Sequence, residues 1–281
     1  MKKKLLLIGL AVLMVVAAGI WAGCSAKTVE DEATEANTTT NEEVEATTPT
    51  YTTIEAGVLT IGSDCDYPPF IQLDGEQPAG FEFDLMTAIG EEMGLTIKYL
   101  SPQNFDSILA SVDQGTKMDI GVSSFTITPE RQELVDFCDP YFDSNQACVA
   151  MKDAGYTKAA DLDGKKVGAQ SGTTGADWVK ENLPNAELVE YTQTSEALAA
   201  LQAGKIEAAF FDEPVAAEQV ATTYTDAAII EAIPTGEQYG FAVSKNNTGL
   251  RDAVNQALQT VKDNGKYKEI FAKYFDFEPT L

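Results

Sequence analysis

Short apolar runs alternate with helix-spaced apolar stripes along most of this 281-residue chain. Val58-Leu59-Thr60-Ile61-Gly62 reads as a strand, and Ser63 to Phe70 as the loop leaving its carboxyl end. Leu85, Met86, Ile89 and Met93 recur at helical spacing, which predicts a helix over about Phe83 to Met93 stopped by Gly94. Strand Ile97 to Leu100 follows, then a helix capped by Asn104, carrying Phe105, Ile108, Leu109 and Val112 and ending near Gly115. A buried strand over Asp119 to Val122 comes next. After Ala147 to Met151 the pattern restarts: strand Lys165 to Ala169, a Ser171-Gly172-Thr173-Thr174 turn, a helix from about Gly175 to Leu183, and strand Leu188 to Tyr191. Ser195 is positioned to cap a helix reaching Gly204, and strand Ala208 to Phe211 ends at Asp212. The chain returns through Gly240 to Val243 and closes with helices at about Leu250 to Lys262 and Tyr267 to Tyr274. Strands alternating with helices imply layered, largely parallel sheets, and two such series imply two lobes. Since the second series lies inside the first, the lobes are expected to hinge about paired strands at Cys148 to Met151 and Tyr239 to Val243.

Local grammar singles out Ser123-Ser124-Phe125-Thr126-Ile127-Thr128-Pro129-Glu130-Arg131. Thr128 suits an N-cap, Pro129 the first helical position, and Glu130 the positive end of a helix, so Arg131 alone opposes the macrodipole. A bound carboxylate resolves that conflict, gripped by a guanidinium fork with Ser and Thr hydroxyls on the strand-to-helix turn. Pairing of Arg131 with Glu130 or Asp136 on the surface is the alternative. Asp212 closes an apolar strand where α/β sheets present ligand-contacting groups, although a turn aspartate beside Pro214 has the same sequence appearance.

The amino terminus changes the picture of location. Lys2 to Lys4 precede an apolar run from Leu5 to Ile20, and Trp21-Ala22-Gly23-Cys24 ends it, as in a secretory leader whose box lipidates Cys24. Residues 1–23 are thus read as a leader and 24–52 as an acidic Thr/Glu-rich tether, too poor in large apolar residues to fold. Residues 53–148 with 243–281 form the expected first lobe and 149–242 the second. Removing the leader lysines leaves 16 basic against 44 acidic residues, a net charge of −28, which disfavours nucleic acid as a partner. The sequence contains no histidine, which excludes imidazole catalysis and His-ligated metals. No CxxC spacing occurs, and neither metal nor cofactor is expected. Cleavage at Cys24 leaves Cys65, Cys138 and Cys148, an odd set that allows one disulfide, Cys138 with Cys148 first, or three buried thiols.

Five motifs in order, Asp64-x-x-Tyr67-Pro-Pro-Phe70, Gly80-Phe81-Glu82-Phe83-Asp84-Leu85, the arginine motif, Gln170-Ser171-Gly172-Thr173-Thr174 and Ala209-Phe210-x-Asp212, resemble family 3 of the bacterial extracellular solute-binding proteins, polar amino-acid receptors of ABC importers. The resemblance spans about residues 55 to 278. It implies an α/β, two-lobed, periplasmic-binding-protein-like clamshell of type II, each lobe a mainly parallel sheet flanked by helices, joined by two hinge strands. It further implies that Arg131 forks onto a ligand α-carboxylate, assisted by Ser124, Thr126 and the backbone around Thr173, with Ser123 and Thr174 also among the ligand-binding residues. Asp212 would take the α-ammonium, while Tyr67 and Phe105 wall the side chain. Asp64 and Gln170 then govern selectivity. Glutamine receptors of the family commonly carry a lysine where Gln170 stands, and without it Asp64 is an uncompensated carboxylate that a cationic ligand would satisfy. The expectation is a basic amino acid, arginine or lysine before histidine, with glutamine or cystine as the neutral alternative. A cyclohexadienyl dehydratase-type enzyme with Glu213 as its acid or base, and a sensory receptor, are the competing functions. The expected partners are a free amino acid, an ABC permease and, through Cys24, the outer face of the cell membrane, with the protein itself a monomer.

Overall fold

In a computed structural model the described residues are 50–281; the leader, Cys24 and the tether up to residue 49 lie outside them. From the amino end the elements are β1 (Val58–Gly62), β2 (Asp66–Tyr67), β3 (Ile71–Asp74), β4 (Gln77–Ala79), α1 (Phe81–Met93), β5 (Thr96–Tyr99), α2 (Phe105–Gln114), β6 (Ile120–Gly121), α3 (Pro129–Leu134), β7 (Asp136–Phe137) and β8 (Phe142–Met151). They continue as β9 (Lys166–Gln170), α4 (Thr174–Asn182), β10 (Glu187–Tyr191), α5 (Thr194–Gln202), β11 (Ala208–Asp212), α6 (Glu213–Thr222), β12 (Ala227–Tyr239), β13 (Ala242–Val243), α7 (Thr248–Asp263) and α8 (Lys266–Tyr274).

Two five-stranded sheets organise the molecule, in the orders β5-β1-β6-β13-β7 and β10-β9-β11-β8-β12. In each, the strands that alternate with helices pair in parallel, β5, β1 and β6 in the first and β10, β9 and β11 in the second. β8 in the second sheet and β13 in the first run antiparallel to these, and the edge strands β12 and β7 pair antiparallel with β8 and β13 in turn. A three-stranded meander of β2, β3 and β4 extends the first lobe beside the cleft.

The crossings differ from the expected position. β8 belongs to the second sheet from Phe142 onward, and β12 remains in it to Tyr239, so the chain changes sheets at Cys138–Tyr141 and at Gly240–Phe241. Cys148 pairs with Phe210 deep in the second sheet, about ten residues past the crossing that sequence periodicity locates there. The long apolar run of β8 hides the crossing, since a buried strand and a hinge strand read alike. The crossings bond to each other, Cys138 N–H to Phe241 O at 2.8 Å and Tyr141 N–H to Tyr239 O at 3.0 Å. Tyr141 also stacks on Phe241 with ring centres 4.3 Å apart.

Phe70, Phe81, Tyr141, Phe142, Tyr239 and Phe241 are fully or almost fully buried around the crossings, so the hinge is anchored in the largest core cluster, which continues into both lobes. Fully burying each such ring contributes on the order of 2–3 kcal/mol. Of the two expectations for the cysteines, the Cys138–Cys148 disulfide does not form and the three buried thiols do: Cys65, Cys138 and Cys148 are free and buried, Cys138 and Cys148 packing in separate core clusters. Burial raises each above the usual thiol range, Cys65 to about 11. The helix at 194–202 is capped by Gln193, whose box with Glu196 replaces the expected Ser195 cap. Residues 50–54 already lie on the first lobe: Asn247 Nδ2 donates to Thr52 O at 2.8 Å and Ile54 N–H to Asp119 at 2.8 Å.

Candidate functional site

A narrow cavity lies between the sheets, lined by every residue that the sequence reading expects to contact a ligand: Asp64, Tyr67, Phe105, Ser123, Ser124, Thr126 and Arg131 from the first lobe, and Gln170, Thr173, Thr174 and Asp212 from the second. The lobes meet across it in direct hydrogen bonds. Arg131 Nη2 donates to Gly172 O at 3.0 Å, Gln170 Nε2 to Asp64 Oδ2 at 3.0 Å, and Asp212 N–H to the Tyr67 hydroxyl oxygen at 3.0 Å. At the rim, Ser195 N–H donates to Asp66 Oδ2 at 2.9 Å, which places a first-lobe carboxylate on the positive end of α5. The clamshell is closed.

Arg131 takes its place from helix-start chemistry. Thr128 caps α3 by accepting from Arg131 N–H at 3.2 Å, and Pro129 occupies the first turn, as the sequence predicts. The guanidinium then folds back from the helix, donating through Nη1 to Thr126 O at 2.8 Å and stacking 5.6 Å from the Phe105 ring centre and 5.9 Å from that of Phe125. Glu130 and Asp136 are not its partners; Asp136 pairs with Arg251 at 2.9 Å. Burial lowers the Arg131 pKa from its ordinary value, while the carboxylates of Asp212 and Glu237 oppose that shift. The guanidinium remains a cation, with further N–H donors besides the two engaged by carbonyls.

Asp212 ends β11 and stands at the N-cap of α6, yet its side chain makes no capping bond. It turns instead toward the cavity wall, accepting from the Tyr239 hydroxyl and from Gln146 Nε2. Burial, and then the charge of Glu237, pushes its pKa up to about 7. Asp64 lies in the loop after β1 and accepts from Ser123 Oγ at 2.6 Å as well as from Gln170. Burial raises its pKa, opposed by those two bonds. Gln170 is itself fixed: its Oε1 accepts from Thr194 Oγ1 at 3.1 Å and its Nε2 also reaches Thr192 O. Among the described residues, no ion pair includes Asp64, Asp212 or Arg131. Two buried anions and one cation therefore converge on one cavity without salt-bridge partners from the chain.

Several donors face away from where sequence reasoning aims them. Ser124, at φ 48°, gives its N–H to Glu82 Oε1 at 2.7 Å, and Thr173 Oγ1 donates to Gln170 O at 2.7 Å while accepting from Ala176 N–H. The Thr126 and Thr174 hydroxyls both donate to Glu237 Oε2, at 2.7 and 2.9 Å. Glu237, Gln146 and Tyr239 sit on the strands next to the crossings and went unnoticed, because isolated polar positions on strands look like solvent-facing ones. Glu82 was recognised only as part of a motif. It is fully buried under the arginine turn, with its Oε1 held by Ser124 and the Tyr141 hydroxyl and its Oε2 unpartnered, and burial pushes its pKa to about 7. Glu213, the candidate catalytic group, bonds Asn145 at 3.2 Å and is absent from the cavity lining.

Comparisons with known proteins agree with this geometry. Residues 59–277 match the family described as bacterial extracellular solute-binding proteins, family 3. The "Putative ABC transporter arginine-binding protein 2" of Escherichia coli (strain K12) is 33% identical over 225 residues, covering 78% of this chain and 91% of the relative. The "L-cystine-binding protein TcyJ" of the same strain is 31% identical over 227 residues, covering 80% and 85%. Among solved structures, "An ancestral arginine-binding protein bound to glutamine" superposes with a TM-score of 0.75 at 35% identity, covering 79% of this chain and 100% of that one. The two-lobed α/β clamshell and the order of its motifs thus have one origin: the chain belongs to family 3 of the bacterial extracellular solute-binding proteins.

Proposed function

We propose that this protein binds a basic amino acid, arginine or lysine before histidine, in the cavity between its lobes and delivers it to an ABC importer. The observation that carries this reading is the set of three charged groups without ion-pair partners among the described residues, the half-buried Arg131 and the buried Asp212 and Asp64, around one closed cavity. Arg131 receives the α-carboxylate, together with the backbone N–H groups at the start of α4. Asp212 receives the α-ammonium, and Asp64 at the other end receives the side-chain cation, with Tyr67 and Phe105 as walls. Each ionic contact replaces water that closure expels, so the ligand stabilises the closed form by the differential affinity the two states have for it. The arginine-binding names among the relatives point the same way.

One feature favours a neutral ligand instead. The Gln170 amide already donates to Asp64, so glutamine or cystine would find that carboxylate partly satisfied. Isothermal titration with arginine, lysine, histidine, glutamine and cystine separates the two: the basic reading expects arginine or lysine to bind at least about tenfold more tightly than glutamine, a margin of 1.4 kcal/mol. Tight glutamine or cystine binding without arginine heat would replace it.

Binding without turnover is part of the proposal, since Glu213 lies outside the cavity lining. Cleavage before Cys24, lipid anchoring through that residue, an extended acidic tether and a monomeric state complete it. Mass spectrometry of the membrane-bound chain tests the lipid, and sedimentation tests the oligomeric state.

A further inference from the structure

The cavity has a thin partition at its side-chain end. Asp64 from the first lobe and Thr194 from the second line both the cavity and an outer groove where the lobes meet. Gln170 joins them, its Nε2 donating to Asp64 Oδ2 at 3.0 Å and its Oε1 accepting from Thr194 Oγ1 at 3.1 Å. These bonds link side chains, not backbone, and the first crosses from one lobe to the other, so the partition is complete only when the lobes close. Beyond it, the groove is apolar at the buried Leu198 and Val215, with Gln72 of β3 and the half-buried Tyr224 contributed by opposite lobes. Gln219 of α6 also lines it. That residue is only 8% exposed, yet its side-chain amide makes no hydrogen bond among the described residues and is not wholly enclosed, so the groove is where the amide meets its surroundings. A buried amide without a protein partner carries a desolvation cost that a ligand group can lift. Asp64 and Asp66 line the groove and no lysine or arginine does, so its charge suits neutral or cationic groups and disfavours anions.

We propose that this groove continues the ligand site past Asp64, so that the protein also takes amino acids bearing a short uncharged or cationic substituent on the side-chain nitrogen. The tail passes where Gln170 bridges Asp64 and Thr194, which displaces one side chain and no backbone. A substituted guanidinium keeps its charge and further N–H donors for Asp64, so the tail enters without loss of the contact at the partition. Leu198 and Val215 then cover its carbons, and the Gln219 amide meets its polar end. The inference rests on the proposed function only in directing the ligand side chain to Asp64; it holds for a basic or a neutral side chain alike.

The test is calorimetric titration of the full chain with two pairs: arginine with Nω-hydroxypropyl-arginine, and glutamine with Nδ-hydroxypropyl-glutamine. In the wild-type protein the tailed member of the binding pair is expected to bind within about tenfold of its parent, a result that requires no variant to fold. A cavity that ends at Asp64 has no room for the tail, and a larger loss overturns the proposal. Gln72→Trp, at an exposed strand position, fills the groove and is expected to weaken the tailed ligand about tenfold or more while the parent changes less than about twofold. Gln219→Leu removes the partner of the tail's hydroxyl and is expected to weaken the tailed ligand about three- to tenfold, again with little effect on the parent. A tail left hanging in water would feel neither change. A fall in the tailed-to-parent ratio in either variant supports the groove as its seat, and a ratio that falls in neither overturns it. If only the glutamine pair binds, the basic-ligand reading fails and that pair's ratio still decides the role of the groove. If none of the four binds, both fail.

Discussion

Asp64 and Asp212 face one cavity from opposite lobes, both deeply buried and both raised in pKa by that burial, yet they are held differently. Asp212 takes its side-chain partners, Tyr239 and Gln146, from strands of its own sheet. Asp64 takes Ser123 from its own lobe and Gln170 from the other. Opening the clamshell leaves Asp212 its bonds to Tyr239 and Gln146 and removes Tyr67, whereas Asp64 exchanges Gln170 for water. In the proposed binding mode Asp212 keeps most of its side-chain bonds within one lobe, whereas Asp64 and the pairing of Arg131 with the start of α4 are completed by closure. Selectivity in this protein is coupled to the motion a permease would sense.

Removing the shared end should do the most damage. Arg131→Ala takes away the cation, the stacking on Phe105 and Phe125 and the bond to Gly172 across the cleft. Affinity for every amino acid is expected to fall about 10²- to 10³-fold in titration, about 3–4 kcal/mol. A loss confined to one ligand would dissolve the distinction between the ends. Asp64→Asn should act on the other end alone: arginine affinity falls about 10- to 100-fold while glutamine changes less than about threefold, because the neutral amide keeps the size of the carboxylate but not its charge.

Acidity sharpens the comparison further. A ligand ammonium needs Asp212 ionised, and its pKa near 7 means that the ligand-free protein holds a proton there below neutrality. Binding should then release a proton between about pH 4 and 7, with affinity rising up to about pH 7 and levelling above it. Titration in buffers of different ionisation enthalpy measures that release, and proton uptake would contradict it.

The smallest effect lies behind the turn. Glu82 also has its pKa raised to about 7, so its folded form binds a proton more strongly than its unfolded form. It therefore contributes a loss of stability that develops as pH rises from about 4.5 to 7 and is complete above. Glu82→Gln removes that loss while keeping an acceptor for Ser124 and Tyr141, so thermal unfolding should show the variant gaining about 1 kcal/mol on the wild type for each pH unit between about 5 and 7, and no more above. A parallel pH profile in both proteins would show that Glu82 is not the group responsible.

Much of this site was legible in the sequence because it follows local rules. Thr128-Pro129 announces α3 and makes Arg131 conspicuous, and an apolar run ending at Asp212 announces a strand end. What stayed hidden depends on distant pairings. Glu237 and Gln146 reach the cavity-lining Thr126, Thr174 and Asp212 from behind only because β8 and β12 pair beside the crossings, 91 residues apart in sequence. The Cys138–Cys148 bridge failed for a similar reason: proximity along the chain said nothing about their separation into different core clusters. The hinge was displaced because a strand buried on both faces carries no mark of where it leaves one sheet for the next.

The most direct measurement is a crystal structure of the protein grown with arginine. The account predicts the ligand carboxylate at Arg131, the α-ammonium within hydrogen-bond distance of Asp212 and the guanidino group on Asp64. A ligand bound in the reverse direction, or one leaving Asp64 with Gln170 as its only partner across the cleft, would contradict it.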